Sequence, residues 1–277
     1  MEDIQHDLAE GRHPVDNGTV MLPGGGTLTP RQQAIIASVR QHGFATIEAL
    51  ALTLGVSGQT IRREVIRLEE LGVLRRFHGG AGLPDNPVRR SYAEKTQTGR
   101  DGKDRIARRT AEQIAPGMAV FLDVGTTVEA VARALTGISP LRVFTNSLQA
   151  AVALAASDGI ATFVTGGQVS GSDGSLTGEV TLRALGLVKC DVAVIGFSGF
   201  DPDGSIMDFD HDKIAVKRAM MRHARRVLLV GQAEKFGRAA VVRLGGIDEV
   251  DTIVTDGVLP DRTVELARQR GVAILTG

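Results

Sequence analysis

From about residue 104 to the end of the chain, short runs of valine, isoleucine and leucine alternate with segments that have a helical apolar period. VFLDVG precedes a helical segment at 128–135, and DVAVIGFSG precedes another at 212–225. RVLLVG, DTIVTDG and VAIL are further runs of the same kind. Strands that are apolar throughout are typical of a parallel sheet covered by helices on both faces. This part of the chain is therefore predicted to be an α/β domain.

The segment that precedes it has the pattern of a small helical domain. Three short helices are predicted within residues 29–72, with capping residues at Thr29, Thr46 and Ser57. Only Gly55 and Val56 separate the second helix from the cap of the third, which is the spacing of a helix-turn-helix. VLRRFHGGAGL follows and has the pattern of two short strands around a glycine pair. A winged helix-turn-helix is therefore predicted.

The charge of the chain is zero overall but unevenly distributed. Residues 1–30 carry a net charge of −4, residues 31–83 a net charge of +3, and the remaining residues +1. The basic surplus thus coincides with the predicted helix-turn-helix, as is typical of a surface that binds nucleic acid.

The third predicted helix carries polar side chains in its first turns, beside its apolar stripe. In a helix-turn-helix these N-terminal residues reach base edges in the major groove, and arginine and glutamine suit guanine and adenine. Solvated arginines paired with nearby glutamates are the alternative for the charges, and protein–protein contact is the alternative for the winged fold. The residues predicted to bind DNA, through bases or phosphates, are Ser57, Gln59, Thr60, Arg62, Arg63, Arg67, Arg75, Arg76 and His78.

The most informative stretch of the α/β domain is LDVGTTVEA. A predicted strand ends at Asp123, Gly125 permits a tight turn, and Thr126 and Thr127 open a helix. Exposed N–H groups and the helix dipole make such a point an anion site, although an ordinary strand–helix turn has the same pattern. TNS, TGG and GFSG also follow strands, and the carboxyl ends of parallel strands meet at one edge of a sheet. The residues predicted to join the site from these motifs are Thr145, Asn146, Gly166, Gly167 and Gly196.

Two lysines are candidates to neutralise a phosphate at that edge. Lys217 lies on a predicted helix and Lys235 lies just past the strand RVLLV, and for each the alternative is a solvated surface lysine. Asp210 and Asp212 are candidates to accept hydrogen bonds from sugar hydroxyls, or else to cap the same helix. Together these residues predict a site for a phosphorylated ligand.

The stretch VSGQTIRREVIRLEELGVLRRFHGGA closely resembles the N-terminal signature of DeoR-type bacterial transcriptional repressors, and the resemblance extends over residues 30 to about 256. The family's Asp-x-Gly-Thr-Thr, Thr-Asn, Gly-Gly, Val-Lys-Arg-Ala-Met and Lys-Phe-Gly motifs are matched at 123–127, 145–146, 166–167, 216–220 and 235–237. Two departures bear on ligand identity. The chain has Gln-Ala-Glu at 232–234 in place of Asp-Ser-Ser, and its SIMDFD at 205–210 is unusually acidic and bulky.

This resemblance implies a DNA-binding repressor of a carbohydrate-catabolism operon, released from its operator by a phosphorylated sugar or related metabolite. It implies a Rossmann-like sensor domain similar to ribose-5-phosphate isomerase and CoA transferases. The alternative is an isomerase-like enzyme with a DNA- or protein-binding head, for which Asp123, Asp210, Asp212 and Glu179 are the candidate bases. No motif links them to proton transfer, so an enzyme is not expected.

The prediction divides the chain into a disordered leader at 1–28, a winged helix-turn-helix DNA-binding domain at 29–84, a linker at 85–103 and an effector-binding domain at 104–277. A homo-oligomer, a dimer or a tetramer, is expected because operators are commonly symmetric. No cofactor or metal site is expected, since the histidines lack ligand spacing. The single cysteine, Cys190, is predicted to be a small core residue and fits a reducing cytoplasm. Neither a signal peptide nor a membrane span is expected.

Overall fold

The computed structural model of the chain describes residues 28–42, 44–77, 80–83, 92–238 and 240–277. His78 and nearly all of the predicted leader lie outside these residues. Leu28, the last residue of that predicted leader, is buried in the core of the first domain, which therefore begins one residue earlier than predicted.

The first domain consists of three helices and a three-stranded sheet. Its elements are α1 (Pro30–His42), β1 (Phe44–Thr46), α2 (Ile47–Leu54), α3 (Gly58–Glu70), β2 (Arg75–Phe77) and β3 (Gly80–Gly82). The strands are antiparallel in the order β1-β3-β2. The β2–β3 hairpin is the predicted wing, whereas β1 was not predicted from the sequence.

Capping residues set the starts of α2 and α3 as predicted. Thr46 Oγ1 accepts a hydrogen bond from Ala49 N at 3.0 Å, and Ser57 Oγ accepts one from Thr60 N at 3.2 Å. Each bond satisfies an N–H group that the helix itself leaves without a partner. The apolar faces of the three helices meet in one core, in which Ile61, Val65 and Leu68 of α3 are buried.

The described part of the predicted linker is helical, which corrects the prediction of an irregular segment. It holds α4 (Tyr92–Gln97) and the beginning of α5 (Arg100–Ala111). α4 has no apolar face, and it is held instead by polar contacts with its surroundings. The amine of Lys103, on α5, donates to the carbonyls of Lys95 and Thr98, the latter at 2.7 Å.

The α/β domain contains twelve strands and five helices after α5 among the described residues. In chain order they are β4 (Ala119–Leu122), α6 (Thr126–Leu135), β5 (Leu141–Thr145), α7 (Leu148–Leu154), β6 (Ile160–Val164), β7 (Gln168–Ser170), β8 (Ser175–Thr177), α8 (Glu179–Gly186), β9 (Cys190–Gly196), β10 (Gly199–Phe200), β11 (Ser205–Asp208), α9 (His211–Arg222), β12 (Ala224–Val230), β13 (Val242–Gly246), β14 (Thr252–Thr255), α10 (Asp261–Arg270) and β15 (Ala273–Thr276).

Seven of these strands form one parallel sheet, in the order β15-β14-β12-β9-β4-β5-β6. The first three strands, β4, β5 and β6, follow one another toward one edge of the sheet. The next four, β9, β12, β14 and β15, follow one another toward the opposite edge. The sheet therefore reverses its strand order between β4 and β9, which is where open α/β sheets bind ligands. A second, antiparallel sheet in the order β10-β11-β13 lies beyond the carboxyl ends of the strands.

Side chains that alternate along the strands enter two separate cores. One lies against α5, α6 and α7 and contains Val120 and Leu122; the other lies against α8, α9, α10 and the small sheet and contains Phe121. Cys190 is buried in this second core, as predicted. The winged helix-turn-helix followed by a parallel α/β sheet confirms the predicted fold class. In the described ranges, no helix has the length and apolar character needed to cross a membrane.

Candidate effector site and DNA-binding surface

A cavity of about 330 Å³ opens at the reversal point of the sheet. Its volume is in the range of small-molecule sites. Its lining comes from the loop between β4 and α6, the turn between β7 and β8, the segments after β9 and β12, the end of β11, α9, α4 and the wing. Of the predicted effector residues, the lining includes Gly125, Thr126, Thr127, Gly196, Asp210, Lys217 and Lys235.

The first turn of α6 forms one wall of this cavity. Gly125 precedes the helix with φ of +120°, a conformation that side-chain-bearing residues rarely adopt. Thr126, Thr127 and Val128 follow it along the lining, and the N–H groups of a first helical turn have no partner within the helix. The positive end of the helix dipole adds to these donors. These donors suit an anionic group, and anion binding at this wall stays a prediction.

Lys217 lies beneath the cavity in a cluster of buried charges. Its Nζ is 2.5 Å from Asp123 Oδ2 and 3.4 Å from Asp208 Oδ2, and it also donates to the carbonyl of Gly196 at 2.7 Å. Asp208 further accepts hydrogen bonds from Ser198 Oγ and Phe209 N, each at 2.8 Å. The two carboxylates neutralise this lysine, so it is not the free cation that the sequence predicted for a phosphate.

The pKa shifts in this cluster agree with a charged lysine. Burial opposes the charged form of Lys217, but Asp123 and Asp208 outweigh burial and raise its pKa. Burial acts on Asp208 as well, yet the ammonium of Lys217 holds the pKa of that carboxyl below its usual range. Burial raises the pKa of Asp123, whose second oxygen, Oδ1, is buried without a hydrogen-bond partner. Lys217 therefore acts as a structural cation that joins β4, β11 and α9.

Lys235 has a different environment. Its Nζ donates to the carbonyl of Phe197 at 2.7 Å and lies 5.3 Å from the centroid of the Phe197 ring. No carboxylate of the described residues forms an ion pair with it. Burial, followed by the nearby charge of Lys95, lowers its pKa to about 7. Lys235 is therefore the cationic group of the cavity whose charge an incoming anion can stabilise.

The rim of the cavity contains a further ion pair and a helix cap. Lys213 on α9 pairs with Asp173, and the ammonium lowers the pKa of that carboxyl despite its burial. Asp210 caps α9, because its Oδ1 accepts hydrogen bonds from the backbone N–H groups of Asp212 and Lys213 at 3.0 and 3.2 Å. Asp208, Phe209 and Asp210 all line the cavity, so the acidic SIMDFD segment forms one of its walls.

Five predicted residues lie outside the cavity lining, and Asp123 lies just beneath it; this revises the predicted site. Thr145 and Asn146 are buried and bond within the fold, Thr145 Oγ1 to the carbonyl of Leu122 and Asn146 Nδ2 to that of Leu176. Gly166 and Gly167 shape the turn before β7 with φ of +71° and +112°. Asp212 lies exposed on the first turn of α9. Thr145 and Asn146 lie at the end of β5, next to β4, but their side chains are used within the fold, and Gly166 and Gly167 follow β6, at the edge of the sheet.

Several lining residues were not predicted for this site. Lys213, Asp173 and Phe197 lie in segments whose approach depends on tertiary packing, although GFSG pointed to the neighbourhood of Phe197. Tyr92 and Lys95 come from α4, within the predicted linker, and Arg75 and Arg76 come from the wing.

The exposed side of α3 carries the predicted DNA-reading residues. Gln59, Arg62, Arg63 and Arg67 are exposed, on the side opposite the buried stripe. Within the described residues, neither Arg62 nor Arg63 forms an ion pair. Two of the glutamates that were the alternative partners pair with other arginines: Glu64 lies 3.7 Å from Arg31, and Glu69 lies 3.5 Å from Arg76. The paired-surface alternative is thus not favoured by the geometry.

Two family models match the chain. The model described as DeoR-like helix-turn-helix domain matches residues 31–86, and the model described as DeoR C terminal sensor domain matches residues 99–257. The chain belongs to the DeoR family.

Several curated relatives of this DeoR-family chain are named as repressors. The glycerol-3-phosphate regulon repressor of Escherichia coli (strain K12) is 40% identical over 232 residues, which are 84% of this chain and 92% of that protein. The HTH-type transcriptional repressor GlcR of Bacillus subtilis (strain 168) is 31% identical over 88% of this chain and 95% of that protein. Among solved structures, ribose 5-phosphate isomerase A of Methanocaldococcus jannaschii matches with a TM-score of 0.38 and 13% identity, over 50% of this chain and 55% of that one.

The two matched models correspond to the two described domains. The DeoR-family chain is therefore a DNA-binding transcriptional regulator that joins a winged helix-turn-helix to a sensor domain.

Proposed function

We propose that the sensor domain binds a phosphorylated sugar or a related small metabolite in the cavity at the reversal point of the sheet. The single observation that carries this proposal is the juxtaposition of the first turn of α6 with Lys235. Backbone N–H groups and a partly buried ammonium are the donors that a phosphate requires. Three of the relatives are named for the glycerol-3-phosphate regulon, so glycerol 3-phosphate is the first ligand to test.

The remainder of the cavity suits the non-phosphate end of such a ligand. Ser198, Asp208 and Asp210 place hydroxyl and carboxylate groups along the lining, and Phe197 and Phe209 add apolar surface. Carboxylates accept hydrogen bonds from sugar hydroxyls, whereas the aromatic rings contact carbon atoms. We therefore assign ligand discrimination to the wall formed by SIMDFD.

A receptor fits this geometry better than an isomerase does. An isomerase needs a carboxylate that is free to exchange a proton with the substrate. Asp123 and Asp208 are engaged by Lys217, Asp210 caps α9, and Glu179 lies exposed in an ion pair with Arg183. Incubation of purified protein with pentose and hexose phosphates tests this part of the proposal, and measurable turnover would contradict it.

At the level of transcription, we propose that the protein represses a carbohydrate-catabolism operon in the cytoplasm and leaves its operator when ligand binds. Arg62 and Arg63 on α3 are proposed to enter the major groove, supported by Gln59 and Thr60, with Ser57 and Arg67 near phosphates. A homo-oligomer, a dimer or a tetramer, is proposed because paired heads match paired half-sites.

The experiment that tests the sensor is a thermal-shift screen of the full chain. Glycerol 3-phosphate, other sugar phosphates, their unphosphorylated parents and inorganic phosphate are compared. A phosphorylated compound is expected to raise the melting temperature, its parent is not, and the shift is expected to disappear in Lys235→Met. Lys189→Met is the matched control, since Lys189 is exposed and remote from the cavity lining. A shift that survives Lys235→Met would contradict the proposed phosphate position.

A further inference from the structure

The wing of the DNA-binding domain contributes to the lining of the sensor cavity. Arg75 and Arg76, on β2, line the same cavity as the first turn of α6 and Lys235. Their side chains remain about half exposed, at 47% and 55%. These two arginines are also residues for which the sequence predicts contacts with DNA phosphates. The same two side chains thus belong both to the cavity lining and to the predicted set of DNA-contacting residues.

α4 connects the wing to the cavity wall. Glu94 Oε1 lies 3.9 Å from Arg75 Nη1, on the side of the wing. Tyr92 donates its hydroxyl proton to Glu129 Oε2 at 3.0 Å, on α6. Tyr92 and Lys95 both line the cavity. A ligand that enters the cavity therefore meets α4 and the wing together.

The charges around the cavity favour an anion at this position. Six cationic side chains and three carboxylates line it. Lys213 and Lys217 are neutralised by carboxylates within the fold. Arg75 and Arg76 also have carboxylate partners, Glu94 at 3.9 Å and Glu69 at 3.5 Å, but these ion pairs are exposed to solvent. Lys235, on the sensor side, and Lys95, on α4, are the other two cations of the lining. A phosphate at the α6 wall thus faces positive charge from the opposite domain as well.

We propose that Arg75 and Arg76 complete the effector site, and that bound effector and operator DNA compete for their guanidinium groups. The proposal rests on the proposed function, since it takes the ligand to be a phosphorylated metabolite. With ligand bound, the two arginines hold the wing against the sensor domain. With operator bound, they turn to the phosphate backbone and leave the cavity open.

This arrangement accounts for release of DNA without a long-range rearrangement of the sheet. An arginine makes bidentate hydrogen bonds to one phosphate at a time, so occupancy of one site lowers the affinity of the other. The coupling is reciprocal by thermodynamic necessity. It passes through side chains that both sites share, and not through the core.

Calorimetric titration of the full chain with glycerol 3-phosphate, without DNA, tests the proposal. If another sugar phosphate gives the larger thermal shift, that compound is used as the probe. Arg75→Ala/Arg76→Ala is expected to weaken binding by about 10- to 100-fold, the range for hydrogen bonds to a charged group. Arg62→Ala/Arg63→Ala is the matched control, because it removes two exposed arginines of the same domain that do not line the cavity. The control pair is expected to bind the probe like the unaltered protein while losing operator affinity.

A second measurement addresses the wing directly. The probe is expected to slow amide hydrogen exchange at Gly80–Gly82 in the unaltered protein but not in Arg75→Ala/Arg76→Ala. Unchanged probe affinity in the double variant would overturn this inference and leave the proposed function standing. Failure of every phosphorylated probe to bind the unaltered protein would overturn both.

Discussion

At the scale of single residues, Lys217 and Lys235 show how differently two lysines of one cavity behave. Lys217→Met leaves Asp123 and Asp208 buried without a counter-charge, so the free energy of unfolding is expected to fall by about 3–5 kcal/mol. Urea denaturation measures this. Lys213→Met is the control, because its ion pair with Asp173 is more exposed and its loss is expected to cost less. Equal losses in the two variants would contradict the structural role assigned to Lys217.

The lowered pKa of Lys235 predicts that ligand binding is linked to proton uptake. Its pKa is about 7 without ligand, and a phosphate dianion beside it raises that pKa, so ligand binding takes up a proton at pH values above about 7. Near pH 8 the phosphate is already a dianion and the uptake is expected to approach ~1 proton per site. Calorimetry in buffers of different ionisation enthalpy measures it. Lys235→Arg, which is always charged, is expected to bind without uptake; the same uptake in this variant would assign the proton to another group.

These two lysines also mark a limit of sequence reasoning. The sequence placed both near a phosphate, but it did not reveal that Lys217 is neutralised. Its partner Asp123 lies 94 residues away in the chain, and Asp208 lies on a different strand. Charge compensation of this kind depends on tertiary contacts, which local patterns do not encode.

At the scale of elements, the start of α6 depends on backbone geometry. Gly125→Ala forces a side chain into φ of +120°, which is expected to cost about 1–3 kcal/mol of stability and to move the first-turn N–H groups. Gly117→Ala is matched to it, because Gly117 has φ of +90°, open space around it and a position remote from the cavity. Both variants are expected to lose stability in thermal denaturation, but only Gly125→Ala is expected to lose glycerol 3-phosphate binding. Loss of binding in both would indicate a general effect of folding.

The recognition helix α3 carries a prediction about DNA. If Arg62 or Arg63 reads a base, changing that arginine to alanine is expected to weaken operator binding by about 1–3 kcal/mol. The change is also expected to relax sequence specificity at one operator position. If the arginine contacts a phosphate instead, its change to alanine is expected to weaken binding to all DNA sequences alike and to make affinity depend less steeply on salt concentration. Fluorescence anisotropy at several salt concentrations separates the two. Arg40→Ala, a change at an exposed position on α1, is the control. Unaltered DNA binding in both test variants would mean that Arg62 and Arg63 are only solvated surface residues.

Elements with a local signal were the ones that the sequence predicted. Thr46 and Ser57 cap their helices, and the apolar runs became the parallel sheet. α4 was missed because YAEKTQ has no apolar face and is ordered by contacts such as the one between Tyr92 and Glu129. β1 was missed because three residues are too few to carry a period.

At the scale of the whole molecule, the shared wing arginines predict a reciprocal coupling. If glycerol 3-phosphate lowers operator affinity by a factor of about 5 to 150, operator DNA must lower the affinity for glycerol 3-phosphate by the same factor. Titrating each ligand in the presence and absence of the other measures both factors. The double variant Arg75→Ala/Arg76→Ala is expected to bring both toward one. Unequal factors would mean that another equilibrium, such as assembly, contributes.

The strand order β15-β14-β12-β9-β4-β5-β6 was not predicted from the sequence, although a parallel sheet was. Alternating strands and helices predicted a parallel sheet with ligand-binding strand ends. The order decides which ends meet at the cavity, and it places Gly196 there while Gly166 lies further out. Strand order follows from how the whole chain winds, so a list of strand-end motifs contains more candidates than the cavity accepts.

Tyr92 gives the molecule an optical property of its own. It is the single tyrosine of a chain without tryptophan, and it lies in the cavity lining with its hydroxyl on Glu129. The tyrosine fluorescence of the protein therefore originates from one ring, placed between the DNA-binding wing and the sensor. A ligand that disturbs this hydrogen bond changes the emission without any attached dye. The molecule carries its own reporter at the junction of its wing and its sensor domain.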